Sequence, residues 1–293
     1  MTLNIAIAIA TAGRREGLTE TVAFLARQTR PADAVFICPA SDSDFEPDVG
    51  KTLDVPVHIV RGGRGLTTQR NVIIRAAADA DVIVFFDDDF VPESTYIEEL
   101  ERLFERTPDL AIATGEVLAD GATTRGIDFH DAARIVGAAG ALPDEILRPV
   151  HNGYGCNMAV RRSIVVENSI FFDETLPLYG WWEDVDFSRR IAPFGQILYA
   201  NRLRGVHMGS KSGRTPGKRL GYAQVINIVY MMRKGSVTTP VGAIRIARNI
   251  AANMVRQFSP EPWVDRGGRF RGNLMALGDA LRGQVDPQRI LHL

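Results

Sequence analysis

Three consecutive carboxylates, Asp87, Asp88 and Asp89, close an apolar run in this chain and hold its most concentrated chemistry. Adjacent carboxylates repel one another unless a cation sits among them. Hard oxygen ligands suit Mg²⁺ or Mn²⁺, above all a metal shared with phosphate groups. Taken alone, the triplet reads equally well as a solvated acidic turn leading into a helix, with Pro92 near that helix's start. The surrounding elements have to decide between the two.

The run that positions the triplet is Val82-Ile83-Val84-Phe85-Phe86, long enough for a strand and too short for a helix. Its unbroken apolar character predicts a strand covered on both faces, as in the middle of an α/β sheet. Ligands of open α/β sheets bind beyond the carboxyl ends of the strands, where the aspartates lie. Further strands are predicted at 4–11, 34–38 and 57–60, and helices at 16–28 and 67–78. This alternation gives an α/β fold with a mostly parallel sheet and helices on both faces. Beyond the triplet the pattern predicts a helix over 93–106 and a strand over 110–118, then an irregular acidic stretch. A glycine-rich loop enters a strand within 153–162, and a loop becomes a helix at Trp181-Trp182-Glu183-Asp184. A last strand spans 197–208, and a helical tail includes 217–234 and 241–258, the latter with Thr239 as cap before Pro240.

Composition is that of a soluble globular chain, 45% hydrophobic and 24% charged. Two cysteines make neither a disulfide framework nor a metal cluster, so a reducing, cytoplasmic setting is expected. The apolar N-terminal stretch lacks a basic flank and reads as a first strand rather than a signal peptide. The net charge of −1 conceals a split. Residues 202–293 hold sixteen lysines and arginines against four acids, so that residues 1–201 carry −13 against +12 for the remainder. A basic third of that size points at an anionic partner.

Six motifs in order resemble the inverting family 2 glycosyltransferases with a GT-A fold. They are Ala10-Thr11-Ala12-Gly13-Arg14, Gly65-Leu66 with Gln69-Arg70-Asn71, Phe86-Asp87-Asp88-Asp89, Gly155-Cys156-Asn157, Glu183-Asp184-Val185-Asp186 and His207-Met208-Gly209. The resemblance spans about residues 4–210. It implies a Rossmann-like GT-A catalytic domain over 1–212, with a nucleotide-sugar half (about 1–118) and an acceptor half (about 119–212). A basic helical extension covers 213–293. By the same resemblance Asp87 and Asp89 are the two acids of a DxD motif that holds Mn²⁺ or Mg²⁺, Asp89 most directly, and His207 completes the metal site. Asp88 faces the nucleotide ribose or the sugar, while Thr11, Arg14 and Arg70 contact the nucleotide. An inverting transfer needs one general base on the acceptor side of the sugar. The resemblance gives that role to Asp184, with Glu183 orienting the acceptor or the base, and Trp181 and Trp182 as the acceptor platform. Asp186 reads as an ordinary helix N-terminal acid. The sequence departs from the family after its second strand, where Pro39-Ala40-Ser41-Asp42 replaces an acidic pair; Asp42 is the remaining candidate for the nucleotide base.

The expected donor is a nucleotide-sugar, UDP-linked by default. The expected acceptor is a saccharide or lipid-linked saccharide in surface polysaccharide or glycolipid synthesis. The basic tail suits an anionic membrane surface, at the inner face of the plasma membrane, or a homo-oligomer contact. It lacks a nucleic-acid-binding module. A sugar-1-phosphate nucleotidyltransferase would need a glycine-rich basic loop after the first strand, where only Gly13 is present. A non-catalytic nucleotide-sugar-binding module would not need acids at both motifs.

Overall fold

The computed structural model describes residues 2–213 and 215–293; Arg214, one of the basic residues of the tail, lies outside them. The chain opens with β1 (Ile5–Thr11), α1 (Arg15–Phe24), β2 (Ala34–Pro39) and β3 (Val57–Ile59), followed by α2 (Leu66–Ala76) and β4 (Val82–Asp87). Next come β5 (Phe90–Pro92), α3 (Tyr96–Arg106), β6 (Leu110–Asp120), α4 (Phe129–Gly137), β7 (Leu147–Pro149) and β8 (Asn157–Arg161). The sequence continues through α5 (Arg162–Glu167), α6 (Glu183–Ile191) and β9 (Gln196–His207) to α7 (Gly217–Lys234), α8 (Thr239–Arg256) and α9 (Arg266–Leu281).

The strands form one sheet in the order β3-β2-β1-β4-β8-β6-β9-β5, with β7 on β9. β3, β2, β1 and β4 are mutually parallel, and β8 inserts antiparallel between β4 and β6. β6 is parallel to β9, so β1 to β4, β6 and β9 all run one way. The reason lies in the residues. Val82 to Phe86 are each 1% exposed or less, and burying such a side chain stabilises by about 1.5–3 kcal/mol. One face of the sheet packs on Leu18, Val22, Leu100 and Phe104 of α1 and α3. The other packs on Ile73, Ile74, Val165 and Phe187 of α2, α5 and α6. The two-sided burial expected from the unbroken apolar run is therefore present.

Several boundaries differ from the sequence expectation. Residues 25–27 tighten into a 3₁₀ turn, so the helix expected to reach 28 ends at Phe24. Pro92 does not start a helix. It ends β5, which pairs antiparallel with β9 through Phe90–His207 and Pro92–Gly205, and α3 begins only at Tyr96. That pairing sets His207 beside the aspartate turn, and Met208 N–H donates to the Asp89 carbonyl at 2.9 Å. The stretch expected to be irregular contains α4, whose Asp128 side chain caps Asp131 N–H, and the short β7. α8 is preceded by Thr238 rather than capped by Thr239, which lies inside the helix.

The last three helices pack on one another. A Cβ on Gly221 would lie 2.0 Å from the Arg269 carbonyl oxygen, which shows how closely α7 and α9 approach. Tyr222 donates to Asp279 within that contact. α7 reaches the sheet unit through Asn227, which donates to the Trp181 carbonyl, and through Lys234 against Asp173 and Asp186.

Candidate active site

β4 delivers Asp87 at its carboxyl end, and the tight turn into β5 carries Asp88 and Asp89. The β5–β9 pairing then brings in His207, so three residues far apart in sequence offer ligand atoms within 4.8 Å of one another. His207 Nε2 is 3.4 Å from Asp89 Oδ1 and 3.7 Å from Asp87 Oδ2. Asp89 Oδ2 accepts from Ser210 N–H at 2.7 Å, while Asp89 Oδ1 is buried with no hydrogen-bond partner. His207 Nδ1 bonds Asp120 Oδ1 at 2.9 Å, and Asp120 Oδ2 accepts from the Tyr154 hydroxyl. A carboxylate behind the far ring nitrogen is what orients a metal-binding imidazole. Burial alone would lower the His207 pKa, but the Asp120, Asp89 and Asp87 carboxylates carry it up to about 10. Burial opposes ionisation of Asp89 too, yet His207 and Arg14 bring it down to about 2. The carboxylates thus demand a cation, and the orphaned Asp89 oxygen with the two neighbouring ligand atoms fits a divalent one.

Asp88 points the other way. It accepts from Thr11 Oγ1 at 2.6 Å and from Arg14 Nη1 at 2.7 Å. Burial pushes its pKa up to about 6 against the pull of the Arg14 charge. Arg14 Nη1 also lies 3.2 Å from Asp89, and its Nε donates to the Ser212 carbonyl. Gln69 holds the ends of β1 and β2 together by donating to the Thr11 and Cys38 carbonyls. In the loop after β2, Asp42 is exposed and pairs with Arg61. The buried acid of that loop is Asp44, which accepts from Gly13 N–H and Ser41 N–H.

Across β4 lies the second acidic motif, at the start of α6. Trp182 precedes this helix with φ of 71°, a left-handed conformation that costs a non-glycine residue about 1–3 kcal/mol. Asp184 Oδ2 accepts from Gly155 N–H at 3.0 Å. Glu183 Oε1 accepts from Arg70 Nη1 at 2.7 Å, and its Oε2 is buried without a partner. Burial raises the pKa of both acids, that of Glu183 to about 8 despite Arg70. Arg70, expected at the nucleotide, is enclosed. Its guanidinium sits over the Phe85 and Phe172 rings and donates to Glu183, to the Gly155 carbonyl and to Asp87.

The two tryptophans face the helical tail. Trp181 packs among residues of α7 and α9, and Trp182 lies under Arg245 of α8. The aromatic group beside the acids is Tyr179. Tyr179 is half exposed, and the charges of Asp87, Asp184 and Glu183 push its phenol up. Asp186 is fully buried and bonds Arg190, Lys234 and Ser236, so it belongs to the scaffold. The sequence reading passed over Asp120, Asp44, Tyr154 and Tyr179. Asp120 shares a β6–β9 register position with His207, a pairing that local pattern does not announce.

The chain is matched by the sequence model of glycosyl transferase family 2 over residues 6–168. No curated protein matches it. Among solved structures, S. aureus TarS 1-349 in complex with UDP-GlcNAc aligns with a TM-score of 0.56 at 15% identity, covering 98% of this chain and 83% of that one. The mannosyltransferase PcManGT from Pyrobaculum calidifontis, in complex with GDP-Man and Mn²⁺, aligns with a TM-score of 0.56 at 11% identity over 97% and 88%. A longer structure of S. aureus TarS aligns with a TM-score of 0.53 at 14% identity over 89% of this chain, which spans 44% of that protein's length. These likenesses establish the fold, and the family model covers more than half of the chain. The chain belongs to glycosyl transferase family 2 and has a GT-A fold.

Proposed function

We propose that this protein is a divalent-cation-dependent, inverting glycosyltransferase of hexosyl type. It moves a sugar from a nucleoside-diphosphate sugar, UDP-linked in the first instance, to a hydroxyl of a glycan or lipid-linked saccharide in surface polysaccharide or glycolipid synthesis. One observation carries the reading: a cation-demanding cluster, Asp87, Asp89 and His207, stands across the end of β4 from the raised-pKa acids Glu183 and Asp184. Residues 1–212 form the catalytic unit in this proposal, and 213–293 the extension.

Asp87, Asp89 and His207 hold the ion, and Asp120 fixes the imidazole. When bound, Mn²⁺ or Mg²⁺ supplies Lewis-acid stabilisation of the departing diphosphate. Thr11, Arg14, Asp88 and Asp42 border the nucleotide. The acceptor oxygen attacks the anomeric carbon from the face opposite the diphosphate. A carbon–oxygen bond forms there as the bond to the diphosphate oxygen breaks, and the acceptor proton passes to Asp184. A carboxylate whose pKa is raised by burial is a better base than an exposed one. Glu183, held by Arg70, orients the acceptor. Tyr179 provides the aromatic face at the acids, with Trp181 and Trp182 behind it.

The test is a thermal-shift screen of nucleotide-sugars with Mn²⁺, beginning with UDP-GlcNAc and GDP-mannose. The stabilising donor is then assayed for nucleoside diphosphate release and for the anomeric configuration of the product by NMR. Inversion with nucleoside diphosphate release is expected. Retention of configuration, or release of pyrophosphate, sinks the reading.

A further inference from the structure

α8 packs inward through Ile246 and Ile250, which lie against the α7–α9 core. Its buried residues are Gly242 and Asn253, and Asn253 is used up in hydrogen bonds with Gln224 and Asn273. A second set of apolar residues faces outward: Val241 is 48% exposed, Ile244 61%, Val255 64% and Phe258, just past the helix end, 85%. Steps of three, eleven and three residues align these four with Arg248 on one side of the helix. Arg245 and Arg248 border this face; the charge that acts on Arg245 is that of Arg248, and the buried Arg245 Nε has no hydrogen-bond partner. Together with Trp182, Val241 and Ile244 they line an open cavity of about 260 Å³.

From this arrangement we infer that the exposed face of α8 docks on an anionic phospholipid surface. The occupant follows from charge. α8 has no acidic residue, and the single acid within α9, Asp279, is buried. A second copy set against the same face would bring arginine to arginine with no carboxylate between them. Phospholipid headgroups neutralise the arginines, and the acyl region takes up Ile244, Val255 and Phe258. The orientation has a consequence for the reaction, which rests on the function proposed above. Trp182 forms one wall of the cavity and immediately precedes Glu183 and Asp184, so docking aligns the headgroup plane with the proposed base. A lipid-linked acceptor would then be presented from the bilayer with its saccharide toward Asp184.

The experiment is co-sedimentation of the full chain with vesicles of phosphatidylcholine alone or with phosphatidylglycerol. Binding is expected only to the anionic vesicles and should weaken as salt is raised. Arg248→Gln should lower the partition coefficient about fivefold. The pair Ile244→Ser and Phe258→Ser should lower it further at low salt. Nucleoside diphosphate release from the donor without vesicles should be unchanged in all of these variants. That separates loss of docking from failure of the proposed function, which would abolish release in the unmodified chain as well. Equal binding to neutral vesicles, no binding, or a concentration-dependent dimer dissolved by Ile244→Ser would each overturn the inference.

Discussion

The Arg70 guanidinium donates to Glu183 at 2.7 Å in a space closed to solvent, and the same group reaches Asp87 at 3.3 Å. One buried cation therefore ties the two acidic motifs together, with the Phe85 and Phe172 rings beside it. Removing one partner of such a pair leaves a buried charge uncompensated, at a cost of about 3–5 kcal/mol. Arg70→Met should lower the unfolding free energy measured in urea by that amount, and Arg70→Met with Glu183→Gln should recover much of it. A single variant within about 1 kcal/mol of the parent, a size ordinary surface substitutions approach, would mean that the pair does not brace the site.

The proposed base, Asp184, has a predictable pH signature. Burial raises the Asp184 pKa, while Gly155 N–H and Arg70 hold it back. A base works deprotonated, so kcat/KM should rise with pH through this pKa, above the ordinary carboxylate value of about 4. Glu183, raised to about 8, sits beside Asp184 and should leave a second ionisation in the profile. Asp184→Asn should lower kcat by about 10²–10⁴-fold with donor affinity retained. Near-parental turnover in that variant would remove Asp184 from the mechanism.

The cation cluster makes a separate demand. Asp120 touches His207 at 2.9 Å and lies behind the proposed ligands. Asp120→Ala should therefore weaken Mn²⁺ binding about 10–100-fold without removing it. Asp89→Ala, which deletes the orphaned buried oxygen, should abolish binding. Calorimetric titration with Mn²⁺ measures both. Equal affinity in Asp120→Ala and the parent would show that the imidazole needs no orienting partner.

What the sequence disclosed follows from the range of its signals. Val82 to Phe86 announced a doubly covered strand because hydrophobic continuity is local, and 217–234 announced α7 for the same reason. Asp87, Asp89, Glu183, Asp184 and His207 were singled out because they match short, contiguous family motifs, and the structure brings Asp87, Asp89 and His207 together. Asp120 was not, since its role arises from a register between β6 and β9, eighty-seven residues apart in sequence. Arg70 was assigned to the nucleotide on the family resemblance of its motif. Only the packed structure shows that Phe85, Phe172 and Glu183 enclose its side chain. The tryptophans carry a related lesson: their position next to the acids and the tail helices themselves were legible, whereas the packing of those helices on the tryptophans was not.

The docking of the tail helix α7 rests on Lys234, whose ammonium donates to Asp173 at 2.5 Å and to the fully buried Asp186 at 2.9 Å. Tyr230 adds a hydroxyl donor to Asp173. Burial alone would raise the Asp173 pKa, but Lys234 and the Thr175 N–H bring it down to about 2. Its unfolded value is about 3.9, so the contribution of Asp173 to stability is complete above about pH 4 and disappears as pH falls through about 2. Lys234→Met should cost about 2 kcal/mol at neutral pH, the size of a charged hydrogen bond at a partly buried site. The gap between parent and variant should narrow between pH 4 and 2, because the parent loses the Asp173 charge that the variant no longer pairs. Urea denaturation at the two pH values measures the gap. A gap that stays constant would assign the loss to the ammonium over the Tyr230 ring instead.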